Sequence, residues 1–286
     1  MRKLVLMVTL IAFSAVQADG VNKTAINTAI ERGVTALKRA QRDDGSWHNT
    51  ELGATSLAAL TLVECGVAKT DPSVKKAAEY VRKTAITANS VYSLSLSIVF
   101  LDRLGYASDT PLIESMVVRL LTGQNRSGAW GYTTPSISEE EMKRIREEMD
   151  GSRVLRAGGD LKKLPERGKR TVSDLPESIR NQLLVIGRGP AVGVVADGVL
   201  GGDNSNTQFA VLALWTGRRY GVPTQPALVR AYDYFCKSQN RDGGWSYVSS
   251  PGIEGPNSSA TMTCAGVLAL AVGHGAAVDI KKEKNP

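Results

Sequence analysis

Apolar positions along this chain fall into two alternating patterns. Ile26, Ile30, Val34 and Leu37 recur at helical spacing with charged or polar residues between them. Val74, Ala77, Ala78 and Val81 do the same, as do Ile113, Met116, Val117, Leu120 and Leu121, and Leu228, Ala231 and Phe235. Such i, i+3/i+4, i+7 stripes predict helices with one face in solvent. Between them lie segments apolar nearly all round: Leu57 to Val63, Leu94 to Leu101, Phe209 to Trp215 and Met262 to Val272. Their small residues and the glycines that follow, Gly66, Gly105, Gly221 and Gly275, predict buried helices rather than strands. The simplest packing is four helix pairs, 21–66, 71–105, 109–221 and 224–275, with the buried set inside and the amphipathic set outside. The expected fold class is all-α.

A short motif punctuates the pattern. Gln-x-x-x-Gly-x-Trp occurs as Gln41, Gly45 and Trp47, as Gln124, Gly128 and Trp130, and as Gln239, Gly243 and Trp245. Each copy follows an amphipathic stretch. Glycine lets the backbone turn tightly out of a helix end, the glutamine amide can bond groups freed there, and the indole can cover both while its N–H finds an acceptor. This is structural chemistry, and these nine residues are read as a clasp.

The third pair is interrupted between Tyr132 and Asp203. In 139–170, ten Lys/Arg and eight Asp/Glu fill eighteen of the thirty-two positions, and Ser138 to Glu141 reads as a capping box opening a short charged helix. Ile186 to Gly202 is glycine-rich without a dinucleotide-binding spacing. The 133–203 stretch is expected to be an inserted excursion, partly disordered or a flap over one end.

The N-terminus speaks to compartment. Arg2 and Lys3, an apolar run from Leu4 to Phe13, and small residues around Ala18 read as a secretory signal over 1–18. The protein is then expected to be exported, periplasmic or secreted, and no later stretch is expected to cross a membrane. The organisation expected is signal 1–18, helical parts 19–132 and 204–276 around the insertion 133–203, and a basic tail 277–286. The formal charge of +7 falls to about +5 once Arg2 and Lys3 are removed and is spread along the chain, which disfavours nucleic acid as partner. Two histidines and three cysteines leave little material for a metal site, and none is expected; nor is a cofactor. Cys65, Cys236 and Cys264 read as buried small hydrophobes, with one disulfide and an odd thiol as the alternative. Glu51 and Glu64 flank an apolar helix, but nothing pairs them as acid and base.

The three motifs, joined to alternating amphipathic and apolar helices, resemble the QW repeats of the squalene–hopene cyclase and protein prenyltransferase superfamily. The resemblance covers about 21–132 and 204–275. It implies a partial α/α toroid of about four helical hairpins in two concentric layers, with an apolar interior, left open or closed by the insertion or a second copy. The family's protonating Asp-x-Asp-Asp-Thr is matched here by Asp203-Asn204-Ser205-Asn206-Thr207. Asp203 and Thr207 fit, but Ser205 stands where the acid would be and cannot protonate an alkene. Asp203 reads equally as the cap of the next helix. The prenyltransferase zinc set is also unmatched, since Cys264 and His274 lack the preceding acid, Asp233 and Cys236 have the wrong spacing, and His48 lies in a turn. The function implied is therefore an exported, non-catalytic binding or scaffold module. Its ligand region is expected near Tyr92, Asp203, Thr207, Phe209 and Trp215, for an apolar or isoprenoid ligand or a protein or glycan partner, and a homo-oligomer is allowed. The alternative is a divergent terpene-cyclase-like isomerase or a toroid-type lyase using Asp203.

Overall fold

The computed structural model describes residues 22–47, 51–156, 170–187, 202–249, 252 and 257–284. The expected signal 1–18, His48 and the glycine-rich end of the insertion lie outside them. Among the described residues the chain is all-α, with ten helices and one two-stranded ladder: α1 (Lys23–Ala40), α2 (Leu52–Glu64), α3 (Pro72–Ala85), α4 (Val91–Leu104), α5 (Thr110–Gly123), α6 (Glu139–Arg156), α7 (Glu177–Gly187), α8 (Asn204–Gly217), α9 (Gln225–Lys237) and α10 (Ala260–Lys284). β1 (Gly202–Asp203) pairs antiparallel with β2 (Val248–Ser249).

Local chemistry sets many of the boundaries. The side chains of Asn22, Asp71, Ser90 and Asp203 accept a backbone N–H in the first turns of α1, α3, α4 and α8, which meets part of the donor deficit at each N-terminus. At the other ends, Gly66, Gly105 and Gly221 adopt left-handed conformations. Gly275 does not: α10 runs through it to Lys284, so most of the stretch expected as a basic tail is the end of a helix.

The four apolar helices pack side by side in the order α2, α4, α8, α10, and α1, α3, α5 and α9 pack against them. α4 and α8 have a neighbour on each side, and Leu94, Ile98, Leu101, Val211 and Leu214 are fully buried. Small residues allow the approach of α2 to α4, where the Ser56 and Ser97 hydroxyls bond at 3.0 Å. Contrary to the all-round burial expected, α2 and α10 each keep an open side, with Leu57 exposed and Val267 at 58% exposure. Among the described residues they stand at the two ends of the row, each with one apolar helix beside it rather than two.

Further expectations are corrected. α5 has no solvent face: every residue from Leu112 to Leu121 is buried, including Glu114 and Arg119. Its outer side is covered by the insertion, whose α6 and α7 pack on α5 and place Ile145, Met149 and Ile179 in the core. Half of the expected capping box forms, with the Glu141 N–H donating to Ser138 Oγ at 3.2 Å while the Glu141 carboxylate pairs with Arg144. The cysteines are exposed and unpaired, because each sits on the open side of its helix end or edge. Finally, Ala260–Asp279 is long and apolar enough to cross a membrane by length and composition. Its threonines and glycines interrupt the apolar run, and its one formal charge, Asp279, pairs with Arg218 at 3.3 Å. In the fold this helix packs on α8 and α9.

Candidate functional site

The three motif copies make one set of hydrogen bonds. Each indole N–H donates to the carbonyl ten residues upstream, Trp47 to Leu37 at 2.9 Å, Trp130 to Leu120 at 2.7 Å and Trp245 to Phe235 at 3.0 Å. Each tryptophan backbone N–H donates to a threonine at the fourth position of an apolar helix: Thr55 at 3.1 Å, Thr207 at 3.0 Å and Thr263 at 3.4 Å. Each glutamine Nε2 donates to the carbonyl of its own glycine, at 3.0, 2.8 and 2.7 Å. In copies one and two, Nε2 also reaches the first turn of the next amphipathic helix, at Ser73 O of α3 (2.9 Å) and Ala227 O of α9 (2.9 Å). The glycine is required twice over. At Gly45 and Gly128, φ is +89° and +98°, and an added Cβ would meet Lys76 O at 2.4 Å and Arg230 O at 2.3 Å.

α3 has no motif after it, and a different device closes that corner. Arg119 of α5 donates to the carbonyls of Ala85 (3.0 Å), Ile86 (3.1 Å) and Ala88 (2.6 Å). Arg82 grips buried Asp109 through both carboxylate oxygens, at 2.6 and 2.8 Å. Burial lowers the Arg119 guanidinium to about 10. On the covered side of α5, Glu114 is held by Arg170 at 2.5 Å, yet burial raises its carboxyl to about 7. Desolvation is the larger effect there, and the guanidinium offsets it only in part.

These corners gather polar and aromatic groups at the N-terminal ends of the apolar helices. Asp203 Oδ1 accepts the Asn206 N–H at 2.7 Å and so caps α8. Its Oδ2 is buried and takes no hydrogen bond among the described residues. The Tyr132 hydroxyl lies against this carboxylate and beside the Tyr247 hydroxyl; Asp203 first, and then Tyr247, holds the Tyr132 phenol above its usual ionisation range. Both rings are exposed. Tyr132 is placed by the Val91 N–H donating to its carbonyl at 2.8 Å, and Tyr247 by the Asn204 N–H donating to its carbonyl at 3.0 Å. Asn204 is fixed by Tyr234 Oη at 2.9 Å and by bonds from its Nδ2 to Ser246 O and Ser249 Oγ. Tyr92 stacks edge-on to Phe209 at 4.6 Å, and burial, followed by the charge of Glu51, raises its phenol.

The structure therefore divides the expected ligand region. Tyr92 with Phe209, and Asp203 with Thr207, lie toward the N-terminal half of α8. Thr207 is fully buried, and its hydroxyl is used by Trp130 N–H and Asp203 O, so it is part of the clasp rather than a contact surface. Trp215 is near the opposite end of α8, about 18 Å away along the helix, covered by the Arg218 guanidinium at 3.3 Å from the ring. Glu51 and Glu64 are likewise at opposite ends of α2, and Glu64 pairs with Arg103 at 2.7 Å. Tyr132 and Tyr247 were not singled out from sequence. The signal was present, since each follows its motif tryptophan by two residues. Away from these groups, a concavity of about 650 Å³ lies between α5, α7 and α9, with Leu121, Leu183, Ile186 and Pro226 beside Arg126 and Arg230. No protein-family model, curated protein or solved structure matches this chain.

Proposed function

We propose that the chain is an exported, non-catalytic binding module of the QW-repeat type, built as a partial α/α toroid of four helical hairpins. Its ligand site is the mouth formed by Tyr92, Tyr132, Asp203 and Tyr247. The observation that carries this reading is the state of Asp203 and Thr207. In a cyclase of this type the equivalent motif holds a free acid at the position of Ser205; here that position carries only a hydroxyl, Asp203 Oδ1 caps α8, and Thr207 is bonded to Trp130 and Asp203. The groups left for a ligand are the exposed Tyr132 and Tyr247 phenols, with the Tyr132 hydroxyl backed by the buried Asp203 carboxylate. Aromatic faces offer contact area at low entropy cost, and the phenol hydroxyls can both donate and accept hydrogen bonds. That combination suits a glycan or a protein segment better than an isoprenoid chain.

Isothermal titration of the exported protein with soluble oligosaccharides, and in parallel with farnesol, tests the reading. Oligosaccharide binding weakened about tenfold or more by Tyr132→Ala or Asp203→Asn is the expected result. Farnesol binding indifferent to Tyr132→Ala would replace the glycan reading with the apolar-ligand one. Cyclised product from a polyprene substrate, abolished by Asp203→Asn, would establish the enzymatic alternative instead.

A further inference from the structure

We propose that this chain assembles head to tail, the third motif of one copy receiving the N-terminal turn of α1 from the next. The inference comes from the hydrogen-bond pattern of the motifs and does not depend on the ligand.

Copies one and two each grip the helix that follows. The glutamine Nε2 takes a first-turn carbonyl, Ser73 O or Ala227 O, and the carbonyl three residues further on, Lys76 O or Arg230 O, closes on the motif glycine. Copy three has the same fold, and among the described residues no helix lies in its grip. Among the described residues Gln239 is exposed and bonds only its own Gly243 carbonyl, and an added Cβ on Gly243 would meet nothing within 4 Å. Gly243 nevertheless keeps φ at +84°, like its two counterparts. The motif is formed, and among the described residues no helix engages it.

The other end of the molecule supplies the matching half. α1 has an amphipathic stripe like α3 and α9, but among the described residues no motif glutamine bonds its first turn, and none of its residues is buried. Val34 and Leu37, toward its C-terminal end, pack on the core, while Ile26 at 46% exposure and Ile30 remain bare at the end a motif would hold. The neighbouring apolar helices agree. α10 exposes Cys264, Val267, Leu268 and Ala271 along one side, and α2 exposes Leu57 and Thr61. Setting α1 of a second copy onto Gln239 and Gly243 continues the outer helices beyond α9. The same placement brings α2 of that copy against α10, so the contact continues the α2, α4, α8, α10 row already present within the chain. Thr24 and Ala25 hold the first-turn positions that Ser73 and Ala227 occupy in α3 and α9. The contact is heterologous, so it propagates as an open chain or closes as a ring.

The test uses sedimentation equilibrium of the full-length chain over a concentration series. Two variants remove opposite ends. Gly243→Asn with Val267→Glu disables the receiving end; asparagine tolerates the left-handed conformation and its side chain enters open space in the isolated chain. Ile26→Glu with Ile30→Glu disables α1. Circular dichroism establishes that both remain helical. Wild type is expected to gain mass with concentration, each variant alone to be a monomer, and the equimolar mixture to stop at a dimer, because only one intact head and one intact tail remain. A monomeric wild type overturns the proposal, as does a mixture that stays monomeric or an assembly that the α1 substitutions leave intact. A parallel flotation with anionic phosphatidylserine–phosphatidylcholine vesicles addresses the open side of α10. Wild-type binding lost in Val267→Glu, without self-association, would assign that face to a membrane and reject the second copy.

Discussion

Gly128→Ala is the most direct perturbation of the stitching between hairpins, and Gly66→Ala is its internal control. Both glycines are left-handed, with φ of +98° and +85°. Each substitution therefore carries the same intrinsic cost of an alanine in that region, about 1–2 kcal/mol. Around Gly66 the added methyl meets nothing within 4 Å, whereas at Gly128 it would lie 2.3 Å from Arg230 O. Ordinary contact needs about 1 Å more, and the obstacle is helix backbone rather than a flexible side chain, so α9 must move away. That displacement costs about 1–3 kcal/mol as overpacking. It also strains the Gln124 bonds to Gly128 O and Ala227 O, each contributing about 0.5–1.5 kcal/mol. Gly128→Ala is thus expected to lose about 2–4 kcal/mol more than Gly66→Ala in urea unfolding followed by circular dichroism, with the m-value unchanged. Equal losses in the two variants would refute the claim that the motif glycine serves the close approach of the next helix.

Thr207→Val keeps the shape of the side chain and removes the acceptor for the buried Trp130 N–H, so a loss of about 1–3 kcal/mol in the same assay is expected, with no change in ligand affinity; unchanged stability would return Thr207 to the ligand surface. Glu114 gives a pH signature. Its carboxyl is raised to about 7 in the fold against an ordinary 4.5, so the native state holds the proton more tightly, and its contribution to stability is full below about pH 4.5 and lost as pH rises through 7. The loss is at most about 3 kcal/mol, and Glu114→Gln, which stays neutral, is expected to flatten that slope in unfolding midpoints measured from pH 5 to 8. An identical slope in both proteins would show that the Arg170 pairing prevails over burial.

Much of the helix order was legible because the two apolar patterns differ in kind. The charged intervals in Val74 to Val81 or Leu228 to Phe235 require a solvent side, and the uninterrupted run from Phe209 to Trp215 excludes one. The motif chemistry was legible for the same local reason: a glutamine, a glycine and a tryptophan at fixed spacing can reach only nearby carbonyls. The candidate site was less so. Asp203 as a helix cap could be read from its position, but its neighbours Tyr132 and Tyr247 come from segments 71 and 44 residues away and meet only when β1 pairs with β2 and Trp130 bonds Thr207.

What the sequence determines alone is local: helix type, the stops at Gly66, Gly105 and Gly221, and the form of each corner, because backbone sterics and side-chain reach act over a few residues. Tertiary structure decides which faces find a partner. The same amphipathic pattern leaves α1 bare and buries α5, since α6 and α7 of the insertion happen to cover one and not the other. The same apolar pattern buries α4 and α8 and leaves α2 and α10 open on one side, since burial is a property of neighbours, and a helix at the end of a row has one fewer of them.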